Sequence, residues 1–168
     1  MVYSSVAVAN SFLFLHFNEE EHIEMNISRL NMLVFLTHCI HSMVIGSKTN
    51  NMIDELVIVG DYFPIYESIH RSFDNADYDC SIMNYGKIFD LSSQKYITPF
   101  INNEAKEYCF IRDIHKQFFD MENYLIENLL TKEGSPYDLA YKNENLFIDT
   151  KLLNTDFLCH SSLPNKNI

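Results

Sequence analysis

The 168-residue sequence predicts a mainly α-helical single domain with a small antiparallel β-sheet, an α+β fold class. Two long stretches, 27–45 and 103–130, carry apolar residues at the three- and four-residue spacing of buried helix faces. Between them, the β-branched run at residues 56–59 is short and is typical of a buried strand. We expect the domain to cover residues 1–160 and the polar residues 161–168 to form a flexible tail.

The first two helices are predicted from their caps and apolar faces. Ser5 is expected to cap a helix that runs to about Phe17. Asn26 or Ser28 is expected to cap the second helix, and Gly46 is expected to end it. This second helix is apolar around most of its circumference, which predicts a position at the centre of the fold.

A strand, a turn and a helix are predicted in the middle of the chain. The strand lies near residues 53–59, and Gly60 stops it. Pro64 is expected in the first turn of the following helix, where its missing N–H removes no hydrogen bond. Residues 74–101 are rich in turn-forming residues and are expected to hold one or two short strands.

The C-terminal half is predicted to be helical. One long helix from Asn103 to about Leu130 is broken by the Gly-Ser-Pro sequence at 134–136. A short helix is expected after Pro136, and another over roughly residues 148–157. The apolar stripe of the long helix consists of Ile111, Ile114, Phe118, Met121, Leu125 and Leu129.

The composition limits the classes of function. A hydrophobic content of 47% excludes a disordered chain, and no apolar run approaches the roughly 20 residues of a membrane helix. Without such a run we expect no membrane association. A net charge of −11 repels phosphate backbones, so we expect no direct nucleic-acid binding. The same charge favours a basic protein partner. Because residues 1–16 lack a basic leading segment, we expect a cytoplasmic bacterial location, with secretion into a host cell left open.

Three patterns bear a partial likeness to catalytic or metal sites. His38 and His41 have the spacing of two ligands on one helix, but no third ligand accompanies them at a recognisable spacing. Residues 74–79 (DNADYD) lack the glycine and the glutamate of a calcium loop. Cys159 and His160 are adjacent, and adjacent side chains usually point apart. We therefore predict no catalytic residue, no metal and no cofactor.

Three stretches taken together resemble the Panacea domain family, the phage-associated GepA-like and SocA-like proteins that include toxin-neutralising antitoxins. Residues 27–35 (ISRLNMLVF) are similar to the family's T-x-x-K-L-x-K-L-L-Y helix, with Arg29 at its first lysine. Residues 60–66 (GDYFPIY) stand where the family has a Gly-Pro-Val turn, a second proline and a tyrosine. Residues 130–137 (LTKEGSPY) are similar to its L-T-H…S-P-W element.

The chain departs from the family pattern at several places, as a divergent member would. Met32 replaces the second lysine of the helix, and Asp61 replaces the first proline of the turn. Lys132 stands for the histidine and Tyr137 for the tryptophan of the third element, while Tyr66 is offset by one residue.

The resemblance implies a non-enzymatic protein-binding module that neutralises a partner protein, such as a cognate toxin, by direct contact. Two alternatives stay open: a phage or pathogen effector or anti-defence protein that uses the same scaffold on a host protein, and a small hydrolase or modifying enzyme. The candidate partner-binding residues are Arg29, Asp61, Lys132 and Tyr137. The residues expected to serve the architecture are Gly60, Pro64, Tyr66, Thr131, Ser135 and Pro136.

Overall fold

The computed structural model describes residues 2–19, 23–45, 51–73 and 80–149. These residues form helices α1 (Ser5–His16), α2 (Ile27–Ile45), α3 (Glu67–Ser72), α4 (Lys106–Phe118), α5 (Asn123–Leu130) and α6 (Pro136–Lys142). The strands are β1 (Val57–Val59), β2 (Pro64–Ile65), β3 (Ile88–Asp90), β4 (Lys95–Ile97) and β5 (Phe147–Ile148). The predicted α+β fold with small antiparallel sheets is confirmed. None of the described helices is long and apolar enough to cross a bilayer.

Helix α2 occupies the centre of the fold, as its sequence predicts. It packs against α1, α4, α5 and strand β2, and its side chains are buried along most of its length. Of the two predicted caps, Asn26 is the one used, because its Oδ1 accepts the backbone N–H of Arg29 at 2.9 Å.

The N-terminus of α1 differs from the prediction by one residue. Ser4, not Ser5, is the cap, and its hydroxyl accepts the backbone N–H of Ala7 at 3.1 Å. Ser5 instead meets Glu55, which accepts the Ser5 backbone N–H at 2.8 Å and its hydroxyl at 2.9 Å. Both serines suit a cap, so only the tertiary position of Glu55 decides between them.

The segment around Pro64 is a hairpin and not the start of a helix. Val59 pairs with Pro64, and Ile58 with Ile65, in an antiparallel register. The prediction that Pro64 opens a helix is wrong, and α3 begins at Glu67. Proline fits this place because β2 is an edge strand of the sheet order β2-β1-β5, where a missing ladder N–H is tolerated.

The other short strands fall where turns dominate the sequence. β3 and β4 form a separate two-stranded sheet inside the predicted region 74–101, of which residues 74–79 lie outside the described part. Ile148 belongs to β5 and pairs with Val57, so the predicted helix does not begin there. Residues 150–157 of that helix and the tail 161–168 lie outside the described residues.

The predicted long helix is two helices, and Arg29 lies at the break. Its guanidinium donates through Nη2 to the carbonyl oxygens of Phe118 and Phe119, at 2.6 and 2.9 Å. Through Nη1 it donates to the carbonyl oxygen of Met121 and to Oδ1 of Asn123, at 2.7 and 2.8 Å. In a continuous helix the carbonyl oxygens of Phe118 and Phe119 would accept the backbone N–H groups of the residues four positions later. The guanidinium N–H groups replace those donors, and the helix ends.

The break also changes which residues face the core. Ile111, Ile114 and Phe118 are buried as predicted, but Leu125 is 43% exposed. Ile126 is fully buried on α5 instead. Beyond the end of α4, Met121 and Leu129 are partly buried against the core, but the predicted stripe departs at Leu125, because α5 begins a new helical phase.

We predict that Arg29→Met lowers the free energy of unfolding by about 3 kcal/mol or more, because each deprived buried acceptor costs about 1–3 kcal/mol. Arg29→Lys should also destabilise, since one ammonium cannot reproduce the planar fork of the guanidinium. Urea unfolding measures both. Arg112→Met, at an exposed site on α4, is the control and should stay within about 0.5 kcal/mol of the parent. Equal effects at Arg29 and Arg112 would contradict this role.

Candidate functional site

A small cleft lies where the hairpin turn after β1 meets α5 and α6. Its volume is about 250 Å³. We call it the acidic cleft, because carboxylates and phenol rings supply nearly all of its lining. The lining residues are Asp61, Tyr62, Glu127, Thr131, Tyr137, Asp138 and Tyr141.

The hairpin side of the acidic cleft depends on Gly60. A Cβ placed there would lie 2.6 Å from the carbonyl oxygen of Phe63 and 2.6 Å from Cδ1 of Ile65, so the turn has no room for a side chain. The hydroxyl of Tyr137 donates to the Gly60 carbonyl oxygen at 2.6 Å. This bond joins α6 to the turn and holds the two sides of the cleft together.

The α6 side is ordered by its own cap. Gly134 adopts a positive φ of 81°, and Ser135 accepts the backbone N–H of Asp138 at 3.0 Å. Pro136 follows at the first helical position. Asp138 accepts the Gly134 N–H at 2.8 Å, which is the main cause that lowers its pKa. Lys142 adds a contact to the same carboxylate at 3.0 Å, so Asp138 is ionised and already paired.

The aromatic walls combine one buried and two exposed rings. Tyr137 is 5% exposed and stacks on Tyr141, with ring centroids 6.0 Å apart. Burial, with smaller effects from Tyr141, Asp61 and Glu127, raises the pKa of Tyr137 to about 12. Its hydroxyl therefore stays a hydrogen-bond donor at neutral pH. Tyr62 is 69% exposed and Tyr141 60% exposed, so both rings are available to a ligand.

This arrangement suits a cation. Asp61 and Glu127 supply carboxylates at the cleft, while the Thr131 hydroxyl is already donated to the Glu127 backbone carbonyl at 2.9 Å. Phenol faces attract ammonium and guanidinium groups, and carboxylates form charge-assisted hydrogen bonds with them. A lysine or arginine side chain satisfies both kinds of contact at once.

The structure brings together only some of the predicted contact residues. Asp61 and Tyr137 meet in the acidic cleft, although they are 76 positions apart in the chain. Lys132 is exposed but is not among the cleft-lining residues. Arg29 is fully buried and bonded inside the protein, so the expectation that it contacts a partner is wrong. Its guanidinium serves the α4–α5 junction.

Several residues of the cleft are absent from the sequence prediction. Asp138 stands three positions after Ser135, a capping spacing that could have signalled it. Glu127 of α5 and Thr131, its C-cap residue, lie on one side by their four-residue spacing, but nothing in the sequence marks that side as a site. Tyr62 and Tyr141 carry no sequence signal, because only the docking of α6 on the turn brings them together.

The residues predicted for structural roles are in ordered positions. Pro64 and Tyr66 are buried, and the Tyr66 hydroxyl lies 3.0 Å from Nδ1 of His38. Among the described residues, no group of three or more His, Cys, Asp or Glu side chains could hold a metal ion. The candidate acidic loop at 74–79, Cys159 and His160 lie outside the described residues.

A larger hollow of about 930 Å³ lies on another part of the surface. Phe73 and Cys80 both line it, and they flank residues 74–79, which lie outside the described part. The described part of its wall mixes apolar and polar side chains, and its cations are Arg71 and Lys87. Among the described lining residues there are aromatic rings but no carboxylate, unlike in the acidic cleft.

Comparison of the chain with known protein families, with curated proteins and with solved structures gives no match. The resemblance carried by residues 27–35, 60–66 and 130–137 therefore stays a prediction. Two of those stretches, 60–66 and 130–137, supply Asp61, Thr131 and Tyr137 to one cleft.

We predict that Tyr137→Phe lowers the free energy of unfolding by about 1 kcal/mol, because the Gly60 carbonyl loses its donor. Tyr141→Phe is the matched control on the same helix and should have almost no effect, since Tyr141 is 60% exposed. Denaturant unfolding of the two variants measures the difference. If Tyr137→Phe is as stable as Tyr141→Phe, the bond to the turn does not hold the cleft.

Proposed function

We propose that this protein is a non-enzymatic binding module that neutralises a basic partner protein by direct contact. The partner would place a lysine or arginine side chain in the acidic cleft. The observation that carries the proposal is the joining of carboxylates and exposed phenol rings in one cleft of a chain with net charge −11.

Charge acts at two distances in this proposal. The excess of acidic residues attracts a basic protein from afar and raises the rate of association. At short range, Lys142 pairs with Asp138, which leaves Asp61 and Glu127 as the cleft carboxylates without a cation within salt-bridge distance among the described residues. These two carboxylates are the natural acceptors for an incoming cation.

The tyrosines supply apolar contact area, which charged groups alone do not. Tyrosine is enriched among the residues that dominate binding energy at protein interfaces, because it offers a large apolar area with few rotatable bonds. Tyr62 and Tyr141 project from two different elements on either side of the cleft. A cation between them would gain cation–π attraction in addition to its hydrogen bonds.

The Panacea resemblance supports the same class of function. Its antitoxin members neutralise a partner toxin, and residues 60–66 and 130–137 are two of the three stretches that carry the likeness. A phage or pathogen effector built on the same scaffold would use an equivalent surface on a host protein. The adjacent genes distinguish these roles: a neighbouring toxin gene favours neutralisation, and neighbouring secretion genes favour an effector.

We predict that the double substitution Asp61→Lys and Glu127→Lys weakens partner binding about tenfold or more, because it replaces the cation-accepting groups with like charges. The tagged protein is used to capture partners from the lysate of its natural host, and mass spectrometry identifies a stoichiometric basic protein. Titration calorimetry with that purified protein then gives the affinities of the parent and the variant.

The matched control is Glu104→Lys with Asp113→Lys, which makes the same change in net charge at exposed sites outside the cleft lining. The control variant should lose only the part of the affinity that comes from long-range charge attraction. Equal losses in both variants would reject the cleft as the contact site. If no stoichiometric partner is captured, neutralisation by direct contact is rejected, and Cys159→Ala with His160→Ala tests the enzyme alternative.

A further inference from the structure

A buried polar cluster lies on α2, away from the acidic cleft. His38 is 0% exposed, and His41 and Ser42 are each 3% exposed. Within the part of the chain that the structure describes, Nε2 of His38, both ring nitrogens of His41 and the Ser42 hydroxyl have no hydrogen-bond partner. Buried polar groups are nearly always paired in folded proteins, so a cluster of unpaired ones calls for an explanation.

The two imidazoles connect α2 to different neighbours. Nδ1 of His38 lies 3.0 Å from the hydroxyl of Tyr66, which precedes α3. The ring of His41 packs edge-on against Phe110 of α4, with centroids 5.5 Å apart. Their three-residue spacing places both rings on one side of α2. Any charge on one imidazole is therefore felt by the other.

We propose that His38 and His41 form an acid-sensitive switch, in which protonation of these two imidazoles opens the contacts of α2 with α4 and with Tyr66 ahead of α3. The neutral rings pack in the interior, but a charged ring there has little water and an equally charged neighbour. Opening these contacts hydrates both charges. This device is independent of the acidic cleft and of the partner proposed for it.

The groups near the two imidazoles do not remove the cost of charging these rings in the interior. Burial of the Tyr66 hydroxyl raises its pKa well above its usual value, so it stays neutral beside His38. Burial likewise raises the pKa of the Cys39 thiol. From α4, the Glu107 carboxylate favours the charged form of His41, whereas the positive amino terminus opposes it. Burial outweighs Glu107, and the pKa of His41 is lowered.

The direction of the pH effect follows from proton counting. Burial, with a smaller effect of His41, lowers the pKa of His38 from 6.5 to about 4. Below pH 6.5 the open state then binds more protons than the closed state, so acid favours opening. The stability that neutral His38 gives the closed state is fully present above pH 6.5 and is lost as the pH falls towards 4.

The first experiment measures denaturant unfolding between about pH 7.5 and pH 5.5. Lowering the pH across this range should raise the equilibrium constant for unfolding about tenfold through protonation of His38 alone, and protonation of His41 should raise it further. The variant His38→Gln with His41→Phe should lose most of this dependence, because the glutamine can still bond Tyr66 and the phenyl ring can still pack on Phe110. His70→Gln on α3 is the control and should retain most of it, because His70 is only half-buried.

Hydrogen exchange of the parent protein at the two pH values locates the change. Loss of protection concentrated in α2, α3 and α4, with α6 and β1 preserved, is the expected result. Loss spread evenly over all described elements would overturn the switch, as would an unchanged pH dependence in the double variant. Should that variant fail to fold, NMR titration of the parent decides: a native His38 or His41 that titrates near pH 6.5 also overturns it.

Discussion

Arg29 donates four hydrogen bonds from the interior of the fold to the segment that joins α4 to α5. Burying a guanidinium is unfavourable unless its donors are satisfied, and these bonds satisfy Nη1 and Nη2, while Nε has no hydrogen-bond partner among the described residues. Burial lowers the pKa of Arg29, and the carboxylates of Glu122 and Asp120 oppose that shift. Because those acceptors belong to a helix end and its connection, one side chain fixes where α4 stops and where α5 begins. The positions of α5 and α6, and hence of the cleft between them and the hairpin, follow from that contact.

The same use of polar groups recurs on α1. Asn10 of α1 donates to the carbonyl oxygens of Gly86 and Pro99 at 2.9 Å each, and accepts the Gly86 N–H at 2.8 Å. Ser11 accepts the N–H of Ile101 at 3.2 Å. These bonds attach the segment that carries β3 and β4 to a buried helix. A two-stranded sheet is marginally stable by itself, so this attachment is what gives it a defined position.

The acidic cleft joins two requirements that oppose each other. Its architecture needs a tight turn at Gly60 and a buried Tyr137 hydroxyl, both of which are satisfied inside the protein. Its proposed function needs carboxylates and rings left open to a partner, such as Asp61 and Tyr62. The turn meets both needs, because the Gly60 carbonyl oxygen accepts from Tyr137 of α6 while the side chains of Asp61 and Tyr62 are exposed.

The sequence by itself determined the fold class, the central position of α2, the short helix after Pro136 and the presence of short strands before α4. These depend on local periodicity and on cap and turn residues, which act between near neighbours in the chain. Only the tertiary structure decided that Pro64 lies in a strand, that Arg29 divides the long helix and that Asp61 meets Tyr137. The Arg29 and Asp61 contacts join groups tens of residues apart, whose approach no local pattern encodes. Pro64 pairs with nearby Val59, but β1 itself is held in the sheet by β5, about 90 residues later in the chain. The physical reason is that local propensities are worth a fraction of a kilocalorie per residue, whereas satisfying a buried charge or a sheet edge outweighs them.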